Sequence, residues 1–173
     1  MTDINFNSSK CLIIAEVGQA HDGSLGLAHS YIDAFSSAGV DAIKFQTHIA
    51  LAESSLEEPF RINFSYVDKT RFDYWKRMEF TQSQWQGLKE HCDDVGVEFI
   101  STPFSVKAVD LLEDIGVSRY KVSSGDITNL LLLSRLAETK KGIILSYEND
   151  ALTLEVAKKK KGSKKENIIE EVI

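Results

Sequence analysis

The chain has 173 residues, 43% hydrophobic and 27% charged, with a net charge of −6. That much apolar side-chain material excludes a disordered chain. No apolar run approaches the roughly 20 residues of a membrane-spanning helix, and the acidic balance offers no basic face for nucleic acid.

The segment after Met1 is polar and lacks the basic start and apolar stretch of a secretory leader. Cys11 and Cys92 match no metal-ligand spacing and read as buried free thiols. Together these features predict a cytoplasmic protein.

Five short β-rich runs follow one another: Cys11–Glu16, Asp41–Gln46, Val97–Ser101, Arg119–Ser123 and Gly142–Ser146. Helical periodicity separates them, at Leu25–Ala38, Thr81–Val95, Ser105–Ile115 and Thr128–Glu138, with Thr81 as an N-cap. Gly39, Gly96 and Gly116 each stand between a helix and the next strand, where glycine closes a helix end. Such alternation predicts a parallel sheet with right-handed crossovers.

One connection is long, Ile49 to Phe80, and carries Phe60, Phe64, Tyr66, Phe72, Tyr74 and Trp75. A connection of that length is expected to be functional or partly structured. From residue 148 to 173 the composition changes, with six acids, six lysines and apolar residues enough for one or two helical turns. A lysine run of this kind reads as a solvated face. The domain division is therefore 1–147 and 148–173.

Ligands of parallel α/β folds gather at the carboxyl ends of the strands. In chain order those ends carry Glu16, Gly18, His21 and Asp22; Lys44, Gln46 and Thr47; Ser101 and Thr102; Lys121, Ser123, Ser124, Gly125 and Asp126; and Ser146. Lys44 and Lys121 interrupt otherwise apolar strands, and a lysine is costly to bury unless it meets an anion. Ser123-Ser124-Gly125 beside Lys121 suits a phosphate cradle. Glu16 and Asp126 are candidate proton-transfer or hydroxyl-binding carboxylates. An α/β enzyme for a small, phosphorylated anion is the expectation. His29 and His91 fall within helices as surface or packing residues, His48 follows the second strand near the site, and no histidine joins a metal-ligand cluster.

The same residues carry a pattern. Ile13-Ile14-Ala15-Glu16-Val17-Gly18 with His21-Asp22-Gly23, then Ala42-Ile43-Lys44-Phe45-Gln46-Thr47, then Ser101-Thr102-Pro103-Phe104, then Lys121-Val122-Ser123-Ser124-Gly125-Asp126, closely resembles the N-acetylneuraminate (sialic acid) synthase family. The resemblance covers about residues 10–146. It implies a (β/α)8 TIM barrel, here a partial one of about five parallel strands, truncated at its C-terminal side. It implies an enzyme that condenses phosphoenolpyruvate with an N-acyl amino sugar such as N-acetylmannosamine, forming a nine-carbon 2-keto acid and phosphate. It also implies a divalent metal, manganese or magnesium, whose ligands this chain does not carry.

By the resemblance, Lys44 and Thr102 hold the phosphoenolpyruvate carboxylate and Lys121, Ser124 and Ser146 its phosphate. Gln46 and Asp126 contact the sugar, and Glu16 stands at the reacting centre. Two departures stand out. Ala20 replaces the family's asparagine before the motif histidine, and Tyr147-Glu148-Asn149-Asp150 follows Ser146 where the family continues Ser-Thr-Gly-Met. Three readings follow: a synthase-type enzyme, an inactive fragment that keeps the phosphoenolpyruvate half-site, or an open-sheet flavodoxin-like binding module. An incomplete barrel exposes strand edges, so self-association is expected.

Overall fold

The structure, a computed structural model, describes residues 12–146. Cys11, Tyr147 and the segment 148–173 lie outside the described residues. Strand β1 (Ile14–Gly18) leads to helix α1 (Leu25–Ser37) and β2 (Ala42–Thr47). The long connection holds α2 (Ala50–Glu53) and α3 (Arg71–Met78), and then come α4 (Gln82–Asp94) and β3 (Glu98–Pro103). Helix α5 (Val106–Asp114), β4 (Arg119–Val122), a 3-10 turn (Ser124–Asp126), α6 (Leu130–Thr139) and β5 (Gly142–Leu145) complete the order.

The local chemistry explains these boundaries. Ser24, Thr81 and Ser105 cap α1, α4 and α5 by accepting from backbone N–H groups of the first turn. Thr81 and Gln84 form a reciprocal capping box. Past the helix ends, Gly39, Gly96 and Gly116 adopt φ of 81°, 78° and 78°, which a side chain would disfavour.

All five strands are parallel and stand in chain order, β1-β2-β3-β4-β5. A flavodoxin-like sheet reverses direction at a switch point, with strand 1 inside the sheet. The consecutive order here has no reversal, so the open-sheet arrangement is not the one adopted. The five strands form a partial (β/α)8 barrel, an arc that always advances the same way.

The two faces of the arc differ in chemistry. Ile43, Phe45, Phe99, Tyr120 and Val122 are buried against Ile32, Trp85, Leu88, Val109, Leu112, Leu132 and Leu136 of α1, α4, α5 and α6. Cys92 is buried in that layer, and burial pushes its thiol up to about 12, so it is an inert packing group. The other face carries Glu16, Lys44, Gln46, Thr102 and Lys121, which alternate along the strands with the residues packed under the helices.

Candidate functional site

Parallel register assembles the site. Glu16 pairs with Lys44, Lys44 with Ile100, and Gln46 with Thr102. Ser101 pairs with Tyr120, which brings the next residues, Thr102 and Lys121, side by side, and Lys121 pairs with Ile144. Glu16, Lys44, Gln46, Thr102 and Lys121 therefore share the face opposite the helices, toward the carboxyl ends. Ser146 follows β5, and its backbone N–H donates to the Val122 carbonyl at 3.1 Å, which ties the end of β5 to β4.

The two lysines set the electrostatics. The Lys44 ammonium meets the Glu16 carboxylate, with the lysine side chain 15% exposed and the glutamate 46%. Burial, with the charge of Lys121 nearby, brings Lys44 down to about 8. Lys121 is buried and its ammonium donates to the Val122 carbonyl at 3.1 Å and to the Ser146 hydroxyl. Burial lowers its pKa as well. Two ammonium groups that disfavour each other's charge in one buried layer suit an anion, which relieves both penalties at once.

The remaining site residues divide into two groups. Thr102 is buried beside the lysines, and Ser124 opens the 3-10 turn that follows β4. Asp126 closes that turn: it accepts from the Ser123 hydroxyl at 2.7 Å and from Asn129 Nδ2 at 3.2 Å, so both carboxylate oxygens already brace the loop. Behind the site face, the Thr47 and Ser101 hydroxyls bond each other at 2.7 Å, and Ser101 also donates to the Phe45 carbonyl at 3.3 Å. Those two hydroxyls knit β2 to β3.

Gly18 keeps the centre open. A methyl group there would meet Glu16 Oε1 at 3.1 Å and Gln46 Nε2 at 3.3 Å, and φ is 53°. The Glu16 carboxylate and the Gln46 amide thus flank one small space.

Several contributors carried no sequence signal strong enough to assign them. His21 is fully buried, its Nδ1 accepts from the Gly23 N–H at 3.1 Å, and its ring lies 4.7 Å from that of Phe80. Desolvation brings it down to about 4, so it is neutral in the fold. Arg77 of α3 binds Asp68 through Nε and Nη2, at 3.1 and 2.7 Å, and reaches Asp22 of the β1–α1 turn through Nη1. The long connection is thereby fastened to the site's first loop. His29 and His91 bridge α1 and α4 at 2.9 Å, away from the strand ends, in keeping with packing residues. Among the described residues, no group of three or more His, Cys, Asp or Glu stands together as a metal-holding set. Glu16 is the carboxylate that meets Lys44, and the described residues gather no donor set that fits the metal the sequence pattern implies.

An arc of consecutive parallel strands joined by helices defines a (β/α)-barrel-type protein. The NeuB family profile matches residues 31–158, and the chain belongs to that family. It is 34% identical over 140 residues to the N,N'-diacetyllegionaminic acid synthase of Campylobacter jejuni, covering 79% of this chain and 42% of that protein. It is 31% identical over 139 residues to human N-acetylneuraminate-9-phosphate synthase, covering 79% of this chain and 38% of that one. The crystal structure of N-acetylneuraminic acid synthetase from Leptospira borgpetersenii, in complex with citrate, superimposes with a TM-score of 0.67 at 31% identity, over 82% of this chain and 46% of that chain. The chain spans about two fifths of the length of the curated relatives it matches. Its relatives are sugar-acid synthases. No helix among the described residues is long and apolar enough to cross a membrane.

Proposed function

We propose that this chain forms the phosphoenolpyruvate side of a synthase that joins phosphoenolpyruvate to an N-acyl amino sugar of the N-acetylmannosamine type. The products are a nine-carbon 2-keto acid and phosphate. The observation that carries this reading is the pair Lys44, largely buried, and Lys121, buried, on one face of the arc, on β2 and β4 with β3 between them, each lowered by burial.

Phosphoenolpyruvate carries two anionic groups on one short skeleton, and two separated cations match it. Lys44 with Thr102 takes the carboxylate, and Lys121 with Ser124 and Ser146 takes the phosphate. On binding, the substrate carboxylate takes over the Lys44 ammonium that Glu16 otherwise holds. Glu16 is then free beside Gly18, where the sugar aldehyde would approach the C3 carbon. The C2–C3 double-bond electrons form the new bond from C3 to the aldehyde carbon, whose oxygen takes up a proton at the position Glu16 flanks, and one water is consumed as the phosphate ester is released and the 2-keto group forms. Gln46 contacts the sugar across the same space. Asp126 acts there by bracing the turn that presents Ser124. The Leptospira relative holds citrate, another compact polyanion.

Titration of the purified chain with phosphoenolpyruvate near neutral pH tests the reading. Binding that disappears in Lys121→Ala, with the variant still folded, is expected. A folded wild-type chain that does not bind phosphoenolpyruvate overturns it. Phosphate release in the presence of N-acetylmannosamine and manganese then reports on turnover. Binding without release would assign this chain the half-site alone.

A further inference from the structure

We propose that His29 of α1 and His91 of α4 form a two-histidine site for a transition-metal cation of the zinc class, which ties the two helices together. The site lies in the helix layer, apart from the strand-end residues assigned to substrate. It stands independently of the synthase reading.

The two imidazoles meet through their Nδ1 atoms at 2.9 Å, with ring centroids 5.0 Å apart. Asp33 orients His91 from its other side, with Oδ1 3.0 Å from His91 Nε2. Asp33 stands one turn after His29 on the same face of α1, so both nitrogens of the His91 ring reach across to one helix. The carboxylate takes the Nε2 proton. The two Nδ1 atoms then face each other with one proton between them, since two would repel and none would set lone pair against lone pair. A histidine that gives one N–H to a carboxylate and turns its other nitrogen toward a shared point has the supported geometry of a metal ligand.

The spacing suits exchange of that proton for a cation. Zinc–nitrogen bonds of about 2.0–2.1 Å at a tetrahedral angle set two nitrogens about 3.3 Å apart, so the pair needs to part by only about 0.4 Å. His29 gives up its Nδ1 proton and takes one from solvent on Nε2. A neutral pair therefore binds the cation with no net change in protons.

The surroundings leave room for the rest of the coordination shell. Side chains on a helix lean toward its N-terminus, so the residues beside the two rings are Gly26, three before His29, and Gly87, four before His91. A β-carbon at either glycine would meet nothing within 4 Å. Glycine is unfavourable inside a helix relative to alanine, and Gly87 falls in the middle of α4. The open space on both helices admits the waters that complete a four-coordinate shell. Among the described residues, no set of three His, Cys, Asp or Glu closes round a cation, so the site has two protein ligands and Asp33 behind one of them. Imidazole ligands select zinc, copper or nickel over magnesium or calcium.

The test titrates the full chain, first treated with a chelator, with zinc chloride and reads heat and melting temperature. One equivalent is expected to bind through the two histidines. At a hundredfold excess over the dissociation constant it is expected to raise the melting temperature by about 5–10 °C. His29→Gln and His91→Gln change partly exposed side chains, so both are expected to stay folded, to lose that equivalent and to keep phosphoenolpyruvate binding. Asp33→Asn keeps both ligands and is expected to weaken zinc binding by about 10- to 100-fold. In 15N spectra of the wild type, the Nδ1 signals of His29 and His91 are expected to shift on zinc addition. Those of His21 and His48, the chain's other two histidines, are buried and are expected to stay in place.

A wild-type chain with no saturable zinc binding overturns the inference and leaves the pair a proton-bridged packing contact. So does zinc bound equally well by His29→Gln, which would place the cation elsewhere in the chain. If a glutamine variant does not fold, the wild-type Nδ1 shifts and the Asp33→Asn titration decide.

Discussion

Lys121 on β4 donates to the hydroxyl of Ser146 just beyond β5, and this contact spans the last described strand pair at the carboxyl end of the arc. A buried ammonium held by one hydroxyl and one carbonyl is solvated less well than in water. On the proposed reading, a bound anion offsets that penalty. Lys121→Met is therefore expected to leave the chain as stable as the wild type, or more so, while abolishing phosphoenolpyruvate binding. Ser146→Ala is expected to weaken binding by about 10- to 100-fold, the worth of a hydrogen bond to a charged group, about 1.5–3 kcal/mol. Thermal melting and titration calorimetry on the same samples separate the two effects. A Lys121→Met variant that binds normally would remove Lys121 from the site.

Lys44 gives the site a pH signature. Its pKa of about 8 in the fold, against 10.5 unperturbed, means the unfolded chain binds more protons than the folded chain between those values. Stability from this group therefore rises with pH across roughly 8 to 10.5, by about 3 kcal/mol in total. Ligand binding runs the other way. An anion needs the charged ammonium, so phosphoenolpyruvate affinity is expected to fall above pH 8, and binding there is accompanied by proton uptake. Calorimetry in buffers of different ionisation enthalpy reads that uptake directly. Lys44→Arg, which stays charged, is expected to flatten the profile. A wild-type affinity that stays constant up to about pH 10 would contradict the burial of this ammonium.

His21 gives the opposite end of the pH scale. It is fully buried, and its pKa of about 4 against 6.5 means the unfolded chain takes up a proton first on acidification. Stability is therefore lost as pH falls through 6.5 toward 4, by about 3 kcal/mol from this residue. His21→Asn removes the titration and is expected to make denaturant midpoints less steep across that window. An unchanged slope would mean that another group governs the acid limb.

The strand ends and most helices were legible in the sequence because their causes are local. A capping threonine at Thr81, a closing glycine at Gly96 and an apolar run between polar neighbours need no partner to be recognised. Strand limits were less legible. The run Cys11–Glu16 pointed to an earlier β1, whereas pairing with β2 begins at Ile14 and continues to Gly18, because a strand's limits are set by its neighbour. Strand β3 likewise runs on to Pro103, opposite Thr47. Helix α3 had a readable signal: Thr70 and Asp73 form a capping box three residues apart. Lys44, Thr102 and Lys121 could be placed at strand ends, but their sharing of one face required the register. The stacking of His48 between Trp75 and Phe104 and the Arg77 contacts join residues far apart in the chain, and no local pattern records such proximity. Asp126, a sugar contact by the family pattern, also accepts from Ser123 and Asn129 within its own turn, a bracing that no local pattern announced.

Arg77, where it meets Asp68 and Asp22, is one fastening point of the long connection. The Asp68 side chain is 6% exposed, and its hydrogen bonds with Arg77 hold its pKa below the usual carboxylate range. Arg77→Ala leaves that carboxylate poorly solvated. Since Arg77 itself is 31% exposed, a cost of about 2 kcal/mol is expected rather than the full value of a buried pair. Gly23 lies against the same point from the other side. A methyl group there would sit 2.2 Å from the Arg77 carbonyl oxygen, at a φ of 76° that already disfavours alanine. Gly23→Ala is therefore expected to destabilise the chain by at least about 2 kcal/mol. Both variants are expected to speed protease cleavage between residues 54 and 70 while leaving the core helices protected. Cleavage at the wild-type rate in both variants would show that the aromatic contacts of Phe60, Phe64 and Tyr74 hold the connection on their own.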